Sequence, residues 1–259
     1  MHTRRPTHKA APMLIVLSPA KSLDTARAEG QGHTTPVFLE QACELVGRMR
    51  DKSSAQLQSM MEISPDLATL NWQRFQDWTP NGRYGAGSLF DGDAYKTLLW
   101  DSLDADTQRH AQDHLRFLSG LYGLLRPFDR IEPYRLEMGR SLGPREPLTG
   151  FWGARIAEAL NAAAEAAGTD IMMNLASEEY ASSIDRAALR PTMITPVFKD
   201  RSRDTFKVIS FHAKRARGAM ARWALLTKPQ KPEDLASFDG LGYTWLHDSP
   251  LLCPVYVRG

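Results

Sequence analysis

The sequence predicts a mixed α+β fold, a single domain in which a mixed sheet is surrounded by helices. Segments of helical period and short apolar or β-branched runs interleave along the whole chain instead of segregating into halves. No repeat, low-complexity linker or abrupt change of composition divides the 259 residues, and a chain of this length buries roughly 70 to 75% of its unfolded surface. A hydrophobic share of 42% supplies the core. Cys43 and Cys253 are too far apart in sequence to read as a disulfide framework or a metal knuckle.

Each element has a local reason. Residues 1–12 hold Arg4, Arg5 and Lys9 without an acid and read as a disordered basic arm ahead of a domain at 13–259. The apolar run 13–17, ended by Ser18-Pro19, reads as a fully buried strand. Helical patterns follow at 36–50, at 53–61, and from an N-cap at Ser64 with Pro65 at the first position. Residues 79–93 hold four glycines without a period and read as a long irregular loop. Further helices are expected at 94–103 and, after the cap Asp104, at 105–118. Four prolines between 124 and 150 favour extended connections there. An alanine-rich helix at 151–167 is stopped by Gly168. A strand is expected from Asp170, then an antiparallel pair at 192–198 and 205–211, a helix from His212, and two short strands about Asp248-Ser249-Pro250.

Charge is informative through its position. The net charge is +2, yet ten Lys or Arg between 198 and 231 oppose only Asp200 and Asp204. On a wheel of about 100° per residue, Lys214, Arg215, Arg217 and Arg222 fall on one side of the last long helix, opposite Ala216, Ala219, Met220 and Trp223. No acid occurs between Ser210 and Leu226. That face suits phosphate or nucleic acid, with a merely solvated surface as the alternative.

LSGLYG at 118–123 fits the hairpin of a helix-hairpin-helix element, whose glycines let backbone amides approach phosphate, with Arg126 and Arg130 just beyond. An ordinary turn at a helix end is the plainer alternative. His110 and His114 share a helical face, but HAQDH lacks the glutamate of a zinc hydrolase and is flanked by Arg109 and Arg116. No phosphate-binding loop, dinucleotide fingerprint or nucleophile elbow occurs. Lys21 with Asp24, or Asn174 with Ser177 and Glu178, are candidates for a polar pocket at strand ends. No window reaches the roughly 20 apolar residues of a membrane span, and no signal peptide opens the chain, so a cytoplasmic protein without membrane association is expected.

Five strings, MLIVLSPAKSLD (13–24), LSGLYGLLRPFDRIEPYRLEMG (118–139), FWG (151–153), NLASEEY (174–180) and FKVISFHAKRARG (206–218), together closely resemble the YaaA family of peroxide-stress resistance proteins. The resemblance implies a cytosolic bacterial protein linked to peroxide protection, lower free iron and DNA binding, with a helix-hairpin-helix inside a mixed fold. It implies that Gly120 and Gly123 form the hairpin and that Lys207, Lys214, Arg215 and Arg217 lie on a cationic surface. It also implies that Lys21, Arg135, Glu137, Asn174, Ser177 and Tyr180 share a cleft. The expectation is a DNA-binding protein that limits iron-dependent oxidative damage. It would contact duplex or branched DNA with little sequence specificity through Gly120, Gly123, Arg126, Lys207, Lys214, Arg215, Arg217 and Arg222, without cofactor or metal. The competing expectation is an enzyme acting on a nucleotide or nucleobase in a polar cleft. Direct iron sequestration is a third reading, for which the few histidines and separated cysteines offer poor ligands.

Overall fold

β1 (Leu14–Leu17) is wholly buried and hydrogen-bonded on both edges to parallel neighbours. Its four apolar residues suit a strand covered on both faces. The computed structural model describes residues 11–259, so all but the last two residues of the expected basic arm lie outside the described residues.

Beyond β1 the chain makes one turn, α1 (Thr25–Ala28), whose N-cap Asp24 accepts the Arg27 backbone N–H at 3.0 Å. Asp24 is thus a helix cap. Three helices follow where their caps place them: α2 (Leu39–Arg50), α3 (Ser54–Met61) and α4 (Pro65–Asp77). Ser53 and Gln56 close a capping box, and the Ser64 hydroxyl accepts from Leu67 N–H. The expected long loop is instead folded inward: β2 (Tyr84–Gly85) and α5 (Ala86–Leu89) lie within it, and residues 84–90 are all buried. α6 (Tyr95–Leu98) ends at left-handed Leu99, and α7 (Ala105–His114) starts at the Asp104 cap.

Here the helix-hairpin-helix expectation is overturned. α7 stops at His114, and the chain enters β3 (Leu115–Ser119), which turns into antiparallel β4 (Gly123–Leu125). Pairing β3 along β1, Ile15 to Leu115 and Leu17 to Phe117, buries an apolar run that a longer helix would leave half exposed. Gly120 and Gly123 are both buried. A Cβ on Gly120 would collide with the Leu136 carbonyl oxygen, the Trp152 indole N–H donates to the Gly120 carbonyl at 3.0 Å, and Gly123 takes φ +65° against Trp152. These glycines serve a packed, buried turn.

β5 (Arg130–Ile131) pairs with β2, and β6 (Ser141–Gly143) with β7 (Glu146–Pro147). The helix expected at 151–167 is two, α8 (Leu148–Trp152) and α9 (Arg155–Ala166), broken at Gly153. β8 (Ile171–Leu175), the short α10 (Glu178–Ala181) and β9 (Thr192–Ile194) complete a five-stranded sheet of order β4-β3-β1-β8-β9, parallel except for β4. β9 therefore does not pair with the following hairpin as the sequence suggested. That hairpin is β10 (Val197–Ser202) with β11 (Thr205–Lys207), turning at left-handed Arg203. After α11 (Ser210–Thr227), β12 (Thr244–Trp245) and β13 (Val255–Arg258) give a second sheet of order β11-β10-β13-β12. Phe198, Phe238, Tyr243 and Tyr256 form its aromatic core. Among the described residues no helix is long and apolar enough to cross a membrane.

α11 ties the sheets together, touching β1, β8 and β10 and packing most closely on α6. A Cβ on Gly218 would fall onto the Ala94 carbonyl oxygen and Thr97 Oγ1, so the helices meet backbone to backbone, and Thr97 donates to the Arg215 carbonyl at 2.7 Å. This contact lies in the middle of the expected cationic face.

Two predictions follow from the packing. Gly218→Ala should gain up to about 1 kcal/mol of helix propensity yet lower unfolding stability by about 1 to 3 kcal/mol through forced separation of α6 and α11; urea unfolding reads the sign. The His110 and His114 rings lie tilted against each other with centroids 4.2 Å apart on α7, and burial together with the neighbouring ring pushes His110 down to about 4. The native state thus binds fewer protons than the unfolded chain between about pH 4 and 6.5. Stability should fall as pH drops through that window, by on the order of 1 to 2 kcal/mol after allowance for partial exposure. His110→Gln should flatten the dependence of the urea midpoint on pH.

Candidate functional site

In the five-stranded sheet, β1 leads to β3 on one side and β8 leads to β9 on the other. Between β1 and β8 the winding direction therefore reverses, and the loops leaving their carboxyl ends diverge to open a crevice. A cavity of about 500 Å³ lies there, lined by the two exit loops, by residues 92–95 ahead of α6, and by Ser210, Lys214 and Arg217 of α11.

The exit loops are stitched to each other. The Ser18 hydroxyl accepts from Ser177 N–H at 2.8 Å and donates to Ser177 Oγ at 3.3 Å. Tyr95 OH donates to the Ser18 carbonyl at 2.7 Å. Burial pushes the Tyr95 and Tyr180 hydroxyls up, which keeps both as neutral donors at ordinary pH. Asn174 works behind the wall: its amide donates to Thr195 Oγ1 at 3.4 Å and its carbonyl oxygen accepts from Ala176 N–H at 3.1 Å, shaping the exit of β8.

Glu137 forms the base of a charged cluster. Its side chain is 3% exposed, Arg135 Nε donates to Oε1 at 2.8 Å, and Lys21 Nζ lies 3.6 Å from the same oxygen. The other carboxylate oxygen, Oε2, is buried without a hydrogen-bond partner among the described residues. Lys21 itself is 60% exposed and projects into the cavity mouth. The structure thus lines one crevice with Lys21, Ser177 and Tyr180, joins Glu137 and Arg135 to it through Lys21, sets Asn174 behind its wall and turns Asp24 to its cap.

The residues expected to contact DNA are dispersed. The α6 contact at Gly218 divides the four helix cations. Lys214 and Arg217 face the crevice. Arg215 stacks over Phe211 at 5.6 Å, and Arg222 donates to the Leu98 and Leu99 carbonyls and to Ser102 Oγ, holding the end of α6. A single open face of four cations is therefore not what the helix presents. Arg126 is bound to buried Asp129 and to the Thr35 carbonyl beside β4, at the far edge of the sheet. Lys207 stands exposed on β11.

Sequence reasoning missed two features. Ser18, Tyr95 and Ser210 enter the cavity, and only Ser18, at a strand end, carried a local signal. Arg201 and Phe206 are cross-strand partners on an exposed edge hairpin, a relation that appears once the turn at Arg203 sets the register. Among the described residues no group of three or more His, Cys, Asp and Glu is arranged to hold a metal ion.

Residues 13–249 match a family model described as "Peroxide stress protein YaaA". A UPF0246 protein of Paracidovorax citrulli (strain AAC00-1) is 48% identical over 243 residues, covering 90% of this chain and 93% of its own length. A UPF0246 protein of Ruegeria sp. (strain TM1040) is 47% identical over 251 residues, covering 95% of this chain and 100% of its own.

Glu137→Ala should destabilise the fold by about 1 to 3 kcal/mol, because it removes the buried carboxylate that holds the partly buried Arg135 guanidinium. Lys21→Ala should change stability by less than about 0.5 kcal/mol, since an exposed ion pair contributes little. Urea unfolding of the two variants distinguishes the structural carboxylate from a lysine free to meet a ligand.

Proposed function

The chain belongs to the YaaA family of peroxide stress proteins, and on that premise we propose that it serves the peroxide stress response by binding DNA through a projecting arm, shielding it from iron-dependent oxidation. The observation that carries this reading is the segment 203–211, in which every residue is exposed. Phe206, Val208, Ile209 and Phe211 are 37 to 53% exposed, an unusual load of apolar surface for nine residues. Cations surround them: Arg203 and Lys207 within the segment, Arg201 across from Phe206, and Arg215 over Phe211.

Apolar side chains interleaved with cations are what an unstacked nucleic acid strand requires. Aromatic rings stack on bases, aliphatic wedges enter opened steps, and Lys or Arg neutralise phosphates without reading sequence. The reading therefore favours branched or locally single-stranded DNA over intact duplex. It retains Lys207 and Arg215 as contacts, and it leaves out the buried hairpin glycines, Arg126 and Arg222.

Fluorescence anisotropy across a salt series tests it. With about five phosphates neutralised, log affinity against log salt should fall with a slope of roughly −3 to −4 on single strands. Changing Arg201, Lys207 and Arg215 together to Ala should flatten that slope by about 2. Phe206→Ala with Phe211→Ala should weaken branched and single-stranded DNA by about tenfold or more while leaving the slope nearly unchanged. Absence of binding near physiological salt would refute the reading.

A further inference from the structure

The crevice between β1 and β8 shares only Ser210 of its described lining with that arm and carries chemistry that DNA shielding leaves unused. Arg217 has no carboxylate or carbonyl partner among the described residues, and burial is the only influence lowering its pKa. An arginine stays charged in proteins, so a half-buried, unpaired guanidinium is costly unless something anionic meets it. Lys214, one turn earlier on the same wall, likewise has no partner among the described residues, and Lys21 approaches from the β1 loop opposite. Three cations thus converge on one cavity. Its lining also holds Asp93, Glu178 and Glu179, which an inorganic anion alone would find repulsive.

We propose that this cavity binds a small sugar phosphate of the mononucleotide type, its phosphate held by Lys214 and Arg217 and its hydroxyl groups donating to the carboxylates of the lining. The volume of about 500 Å³ is several times that of a bare anion and falls within the range of small-molecule sites. The position supports the same class of ligand, since crevices at a winding reversal receive ligands at the carboxyl ends of the strands. Guanidinium and ammonium groups give the charge-assisted hydrogen bonds that phosphate oxygens accept. Ser177 and the protonated Tyr180 hydroxyl add neutral polar groups to the wall formed by the β8 exit. The proposal stands independently of DNA binding, because Arg217 and Lys21 lie in the crevice and Phe206 lies on the arm.

Isothermal titration of the full chain with adenosine 5′-monophosphate, ribose 5-phosphate, adenosine and inorganic phosphate tests it. The two sugar phosphates should bind saturably with one site per chain, and adenosine and inorganic phosphate about tenfold more weakly or worse. Arg217→Ala should weaken adenosine 5′-monophosphate by about tenfold or more. Because Arg217 is partly buried, Lys214→Ala, at an exposed position, provides a second variant, with thermal unfolding confirming that each is folded. Phe206→Ala should leave the sugar phosphates unaffected while weakening DNA, so the two proposals fail separately. No saturable binding at millimolar sugar phosphate would overturn the site, as would affinity unchanged in both folded variants. Binding of a 5′-phosphorylated oligonucleotide, lost in Arg217→Ala, in the absence of any mononucleotide binding would overturn it as well, assigning the cations to strand ends.

Discussion

β1 must be buried on both faces and hydrogen-bonded on both edges, because LIVL offers no polar side chain to any solvent face. Parallel partners on either side satisfy it, β3 by way of a chain that runs through four longer helices and β8 by way of a second excursion. The demand for β3 explains why α7 stops at His114, and it turns LSGLYG into a β-hairpin packed beneath Leu136 and Trp152. The same arrangement aims the loop after β1 and the loop after β8 at one point, where the winding reverses. Crevice, charged cluster and stitched serines are consequences of where the central strand sits.

α11 closes that crevice, and how it does so decides what its cations are for. A helix with cations on one side and small residues on the other ordinarily shows the cations to water. Here Gly218 admits the backbone of α6 into the middle of the polar side, so the helix is packed on more than one flank. Two cations are left facing the cavity, one stacks on Phe211, and Arg222 becomes a cap for α6. Lys21 shares Glu137 with Arg135, so the opposite wall contributes one exposed charge over a buried counter-ion.

Legibility in the sequence followed the range of the forces involved. The helices at 39–50, 54–61 and 65–77 and the cap at Asp104 were readable because their signals are local: a hydroxyl or carboxylate reaching an N–H two or three residues on, and a periodic apolar face. The terminal strands about Ser249 were readable for the same reason, its hydroxyl accepting from both Trp245 Nε1 and Val255 N–H. The resemblance pointed to Lys21, Glu137, Ser177 and Tyr180 as one cleft; the exit loops of β1 and β8 set Lys21, Ser177 and Tyr180 along one cavity, and Glu137 joins them from the segment after β5 through Lys21. By contrast LRFLS has neither a period nor a terminator that separates buried strand from buried helix. Its assignment waited on a partner 100 residues earlier in the chain.

The sequence by itself determined the mixed α+β class, the capped helices, the buried first strand and the concentration of cations near 198–231, since composition, capping and periodicity act within a few residues. Tertiary structure alone decided that the glycine hairpin is buried, that β9 joins the first sheet while β10 and β11 form an edge of the second, and that the cations divide between a cavity and an exposed arm. Those outcomes depend on strand register and on the close approach of α6 to α11. Both are settled by contacts between residues far apart in the chain, whose burial outweighs any local preference.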